Sequence, residues 1–82
     1  MEKLKENDFF SSTDIALISA ALCCGYRIEG VDRGNPGRVE LIIRRDQSLD
    51  EFIQRYFAHE LKVDPLAYFH ALKEIKSLIY HA

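Results

Sequence analysis

Apolar and polar residues alternate from Tyr26 to Arg45, and the alternation is interrupted once, at Arg33-Gly34-Asn35-Pro36-Gly37. A period of two on both sides of a Gly/Pro break predicts two strands folded back as one β-hairpin. In the first strand Tyr26, Ile28 and Gly30 share one face, and Arg27, Glu29, Val31 and Arg33 share the other. In the second, Val39, Leu41 and Ile43 face one way and Arg38, Glu40, Ile42 and Arg44 the other. Asn35-Pro36-Gly37-Arg38 suits a type II turn, with Pro at its second position and Gly at its third. Placing Ile28 opposite Leu41 or Ile43 takes a loop of even length or a bulge, so the pattern leaves the register open. An isolated ribbon is marginal in water, so one face is expected to lie on helices.

Three helices are expected around it. Ser11 or Ser12 can cap a helix running to about Cys24, with Gly25 as its left-handed stop. With Ser11 as the cap, Asp14 completes a capping box and Phe10 staples onto Ile15. Ile15, Ile18 and Leu22 make one stripe and Leu17, Ala21 and Cys24 another, with little polar surface beyond Ser19. A helix apolar nearly all round is expected at the centre of so small a domain. Ser48 and Glu51 predict a capped second helix near 49–61, with Leu49, Phe52, Ile53, Tyr56, Phe57 and Leu61 on its apolar stripe. Asp64 as cap, Pro65 at the first helical position and Val63 stapling onto Tyr68 predict a third helix to about Tyr80. Its inward set is read as Tyr68, Phe69, Leu72, Ile75 and Ile79. The expected fold is therefore α+β, in the order α-β-β-α-α, one β-hairpin packed on three helices. Residues 1–8 are read as a flexible tail and residues 9–82 as a single domain.

Ser12-Thr13-Asp14-Ile15-Ala16-Leu17, the Gly25-Tyr26 step and Asp64 to Lys76 resemble a family of small uncharacterised prokaryotic and phage domains of unknown function. The resemblance spans about Phe9 to Tyr80. It rests on caps and core positions, so it implies a fold and carries no catalytic residues.

Composition narrows the class. Of 82 residues, 48% are apolar and 29% charged, an ordinary balance for a soluble globule. A domain of this size buries only about 60–65% of its unfolded surface, which leaves a small stability margin. No apolar run approaches the roughly 20 residues that span a bilayer. The opening Met1 to Asp8 mixes both signs of charge and is followed by no long apolar region, so no secretory signal is expected. Cys23 and Cys24 are adjacent, cannot bridge each other on a helix, and are read as free thiols and small buried residues in a reducing compartment. A cytoplasmic location is expected.

Complete reaction machinery is missing from the pattern. His59-Glu60 lacks the second histidine of the zinc-protease motif, and His70 with Glu74 is one helical pair. Ser11, Ser12, Ser19, Ser48 and Ser77 read as caps or helix-surface residues, with no nucleophile elbow among them. The glycines lack phosphate-loop spacing. No enzyme, cofactor, metal or small-molecule substrate is expected.

Two binding readings remain. On the hairpin's outer face Val31 and Ile42 stand as an apolar centre within a rim of Arg27, Glu29, Glu40 and Arg44, the anatomy of a modest protein interface. The partner is then another protein or a second copy, paired edge to edge through the long second strand into a four-stranded sheet. The alternative is a nucleic acid held by Arg27, Arg33, Arg38, Arg44 and Arg45. Residues 26–46 carry those five arginines against four carboxylates, and the whole chain is at −2, which favours the protein partner.

Overall fold

The computed structural model describes residues 8–35 and 37–80. Its elements are β1 (Phe9–Ser12), α1 (Ile15–Cys23), β2 (Ile28–Asn35), β3 (Arg38–Arg44), α2 (Gln47–Phe57) and α3 (Pro65–Tyr80). The α+β class and the hairpin are as expected. The order α-β-β-α-α is corrected by β1, an additional strand ahead of the first helix. It pairs antiparallel with β3, so the sheet order is β1-β3-β2. Phe9-Phe10-Ser11-Ser12 shows no alternation, and its strand character comes from β3, whose free edge it satisfies. The Arg45 N–H extends the pairing by donating to the Asp8 carbonyl at 2.7 Å. The tail reading of residues 1–8 otherwise lies outside the described residues.

Because Ser11 and Ser12 belong to β1, the first helix starts later than expected. Asp14 is its N-cap, accepting from Ala16 N at 3.0 Å and Leu17 N at 3.2 Å, while Ser12 Oγ accepts from Asp14 N. Phe10 then faces Ile43 across the sheet. α1 occupies the centre of the domain: Leu17, Ile18, Ser19, Ala20 and Ala21 are all buried. Ser19, expected on the surface, is fully enclosed because its hydroxyl donates back to Ile15 O at 2.6 Å. The helix ends at Gly25, whose φ of +98° lets Tyr26 N and Gly25 N reach back to the carbonyls of Ala21 and Leu22. Both cysteines are free, but neither is a buried residue: Cys23 is half-buried and Cys24 is an exposed C-cap.

The hairpin register turns on two irregularities. Ile28 faces Ile43, but Gly30 faces Ile42 and Val31 faces Leu41, so β2 holds one extra residue, Glu29. A second shift falls between Asp32 and Asn35. The turn closes at Gly37, whose φ of +76° is the value a type II turn requires there. Leu41 and Ile43 are buried, and Phe10, Ile28 and Val31 pack beside them.

α2 is capped by Asp46, two residues before the expected Ser48, with its carboxylate accepting from Leu49 N at 2.8 Å. Ser48 instead donates to Asp46 and shares a hydrogen bond with the Tyr26 hydroxyl, which ties α2 to the chain leaving α1. Hydrogen bonds from Ser48 and from Leu49 N hold the Asp46 carboxyl below its ordinary range. Its contribution to α2 is therefore present above the ordinary aspartate pKa of about 4 and is lost as pH falls through the lower folded value. The helix stops at Phe57, short of the expected 61, because His59 turns left-handed at φ +62°. His59 N and Glu60 N close on Tyr56 O and Arg55 O, the same terminal geometry that Gly25 gives α1. α3 begins as expected, with Asp64 accepting from Ala67 N at 2.8 Å.

One core unites these elements: Leu17, Ile18, Leu41, Ile43, Leu49, Phe52 and Ile75 with Ala20 and Ala21 of α1. α3 contributes Tyr68, Ala71, Ile75 and Ile79, leaving Leu72 half-buried. The expected inward placement of Phe69 and Phe57 is corrected, since both point to solvent. Tyr68 and Phe69 are neighbours about 100° apart on a helix, so only one can join the stripe through Ile75.

Two stability outcomes follow. Replacing Leu41 or Ile75 by alanine is expected to cost about 2–5 kcal/mol in urea unfolding, whereas Phe69→Ala costs less than about 0.5 kcal/mol. His59→Gly is expected to stabilise the fold by about 0.5–1 kcal/mol, measured the same way, by relieving the left-handed backbone. Equal losses at Phe69 and Ile75 would contradict the helix orientation.

Candidate functional site

The sheet lays one face on the helices and leaves the other open. Strand pairing sets the open face: Phe9 and Ser11 from β1, Glu40, Ile42 and Arg44 from β3, and Glu29, Gly30 and Asp32 from β2. Most of the expected interface is brought together here. Ile42 sits at the centre, half-buried between Ser11 and Gly30. Arg44 Nε donates to Glu29 Oε1 at 3.3 Å. Arg27, Glu29 and Arg44 line one shallow cleft with Tyr26 and Asp46. Glu40 lies opposite Asp32 and pairs with Arg38 at 3.5 Å.

Val31 does not belong to this face. The extra residue at Glu29 rotates it inward, against Leu41 and the core. Its apolar place is taken by Phe9, which the hairpin pattern missed because β1 was not visible in it. The Phe9 ring lies beneath the Arg44 guanidinium, 5.8 Å from its centroid. The open face thus has two apolar side chains, Phe9 and Ile42, within a rim of both signs. The second hairpin strand is the middle of the sheet, so the edge-to-edge pairing expected through it is closed from Leu41 to Arg44, where β1 lies. Among the described residues the outer edges of the sheet belong to β1 and β2.

The five hairpin arginines are dispersed. Arg33 reaches across to the end of α3 and donates to the carbonyls of Leu78 and of Ile79, the latter at 3.3 Å. A cation on the last turn complements the helix dipole and satisfies carbonyls that lack intrahelical donors. Arg38 pairs with Glu40, Arg44 with Glu29, and Arg45 with Asp50 at 3.0 Å. Only Arg27 makes no ion pair or hydrogen bond among the described residues. Exposed pairs of this kind contribute about 0–1 kcal/mol each, but they interleave acids with every arginine cluster.

The pattern also missed a second exposed surface. Leu66, Phe69 and Tyr80 of α3 are 63%, 53% and 73% exposed, and Phe57 at the end of α2 is 62% exposed. Between α2 and α3 lies an aromatic groove of about 370 Å³, lined by Tyr56, Phe57, His59, Leu61, Val63 and Tyr68 over Ala20. Burial, with Asp14 and Tyr68 nearby, raises the Tyr56 pKa, so the phenol stays protonated. A second groove, between α1 and α3, brings Cys23, His70 and Glu74 together. Burial first, then Cys24 and Asp64, pushes the Cys23 thiol up, away from the thiolate form that attacks or ligates. Among the described residues no three His, Cys, Asp or Glu side chains gather as metal ligands. No described helix is long and apolar enough to cross a membrane.

Arg33→Ala is expected to lower stability by about 0.5–1 kcal/mol and to speed amide exchange in the last turn of α3. Arg38→Ala should change stability by less than about 0.5 kcal/mol. Unchanged exchange at residues 78–80 in Arg33→Ala would show that the arginine does not cap the helix.

Comparison of the chain with protein-family models, with curated proteins and with solved structures gave no match in any of the three.

Proposed function

We propose that the protein is a small, non-enzymatic protein-interaction module that works in the cytoplasm. The observation that carries this reading is the side of α3 turned away from the core. A domain with so little core leaves Leu66, Phe69 and Tyr80 more than half exposed while burying the small Ala71 instead. Large apolar side chains gathered on one exposed face mark contact surfaces. The resemblance to small prokaryotic and phage domains is compatible with such a role.

Self-association through the sheet belongs to the same proposal, now centred on Phe9 and Ile42. The rim formed by Glu29 and Arg44 carries both signs, so a copy turned about a two-fold axis can meet acid with base. Nucleic acid is the less favoured partner, because Arg38, Arg44 and Arg45 each stand beside a carboxylate and Arg33 is held by α3.

Sedimentation equilibrium and chemical cross-linking in host extract test the proposal with two surface variants. Ile42→Lys is expected to weaken self-association by about tenfold or more, corresponding to about 1.4 kcal/mol, with an unchanged circular dichroism spectrum. Phe69→Asp is expected to remove cross-linked partners while leaving any dimer intact. A protein that stays monomeric, and whose cross-links survive both changes, would contradict the reading.

A further inference from the structure

The outward seam of α3 has a definite chemical order. Leu66, Phe69, Lys73, Lys76 and Tyr80 are spaced three and four residues apart, are all exposed, and run along about 21 Å of helix. The apolar side chains are at the two ends and the two cations are in the middle. Neither lysine has an ion-pair partner among the described residues. The Lys73 ammonium lies instead 5.4 Å from the centroid of the Phe69 ring.

We propose that this seam docks one amphipathic helix of a partner protein, apolar at both ends and acidic at its centre. The assignment rests on the reading of the protein as an interaction module, and three features support it. Alternating three- and four-residue spacing is what a single helix presents to another helix packed along it. The two lysines, without a carboxylate partner among the described residues, call for carboxylates at the middle of that partner. A second copy of the chain fits poorly, since a two-fold axis at mid-seam sets lysine against lysine whether the copies run parallel or antiparallel. A lipid surface also fits poorly, because a helix lying in a membrane interface keeps its apolar stripe continuous and its lysines on the polar side.

The probe is a capped 15-residue helical peptide with leucines in its first and last turns and two glutamates, three residues apart, at its centre. A control peptide carries lysines at those two positions. Nuclear magnetic resonance titration is expected to show shifts confined to the seam and at least about tenfold tighter binding of the glutamate peptide. The double variant Lys73→Glu with Lys76→Glu should reverse that preference, and Phe69→Asp should weaken both peptides by about tenfold, each with an unchanged circular dichroism spectrum. Absence of binding at about 1 mM, a preference that does not reverse, or a seam that instead mediates dimerisation would overturn the assignment. So would lysine-dependent binding of phosphatidylglycerol vesicles without peptide binding. If the peptides fail while Phe69→Asp still removes partners cross-linked in extract, the helix assignment falls and the interaction-module reading stands.

Discussion

β3 carries Leu41 and Ile43 into the centre of the core, and from Leu41 to Ile43 its backbone is paired on both edges, by β1 on one side and β2 on the other. A buried strand with one bare edge would leave peptide groups without partners beside apolar side chains, at a cost of about 1–3 kcal/mol for each group. The four residues of β1 remove that cost, and their placement has further consequences. Drawing Ser11 and Ser12 into the sheet moves the cap of α1 to Asp14. It sets Phe10 inward and Phe9 outward. It also makes β3 the middle strand, so the sheet offers its open face and its outer strands for contact, and the edge of β3 from Leu41 to Arg44 is closed by β1.

Much of this architecture was legible in the chain. Strong local chemistry reports itself: the Gly25 stop of α1, the turn at Gly37 and the Asp64-Pro65 start of α3 each have one satisfactory conformation. The apolar girth of α1 correctly placed it at the centre. What escaped depends on pairing or on small rotations. Phe9 to Ser12 has no periodicity of its own, so nothing local distinguishes a strand from a helix cap. A single extra residue at Glu29 inverts the faces of Gly30, Val31 and Asp32, which moved Val31 from the proposed interface to the core. On α3 the sequence offers Tyr68 and Phe69 as rival core residues, and the choice is made by the phase of Ala71 and Ile75. His59 ends α2 in a conformation usually left to glycine, so Leu61 reaches the core from a loop rather than from the helix.

Those same rotations decide which residues are free to act. Four of the five hairpin arginines, grouped in the sequence, are held at separate places by Glu29, Glu40, Asp50 and the end of α3. The candidate interface keeps Ile42 and its rim of Glu29, Glu40 and Arg44, gains Phe9, and loses Val31. The outward turn of Phe69, Leu66 and Tyr80 adds a second face of different character, apolar at its ends and cationic at its centre. Neither face contributes to the core, so both can change without loss of the fold.

The dependence on β3 as a doubly paired strand is tested most directly by amide hydrogen exchange along residues 40–43. Successive amides of a strand point to alternate edges, so half of them face β1 and half face β2. With β1 in place, both sets should exchange only through global unfolding and share one protection level. A set protected only on the β2 side, with alternate amides exchanging as fast as those of an exposed edge, would contradict the three-stranded sheet and the surfaces derived from it.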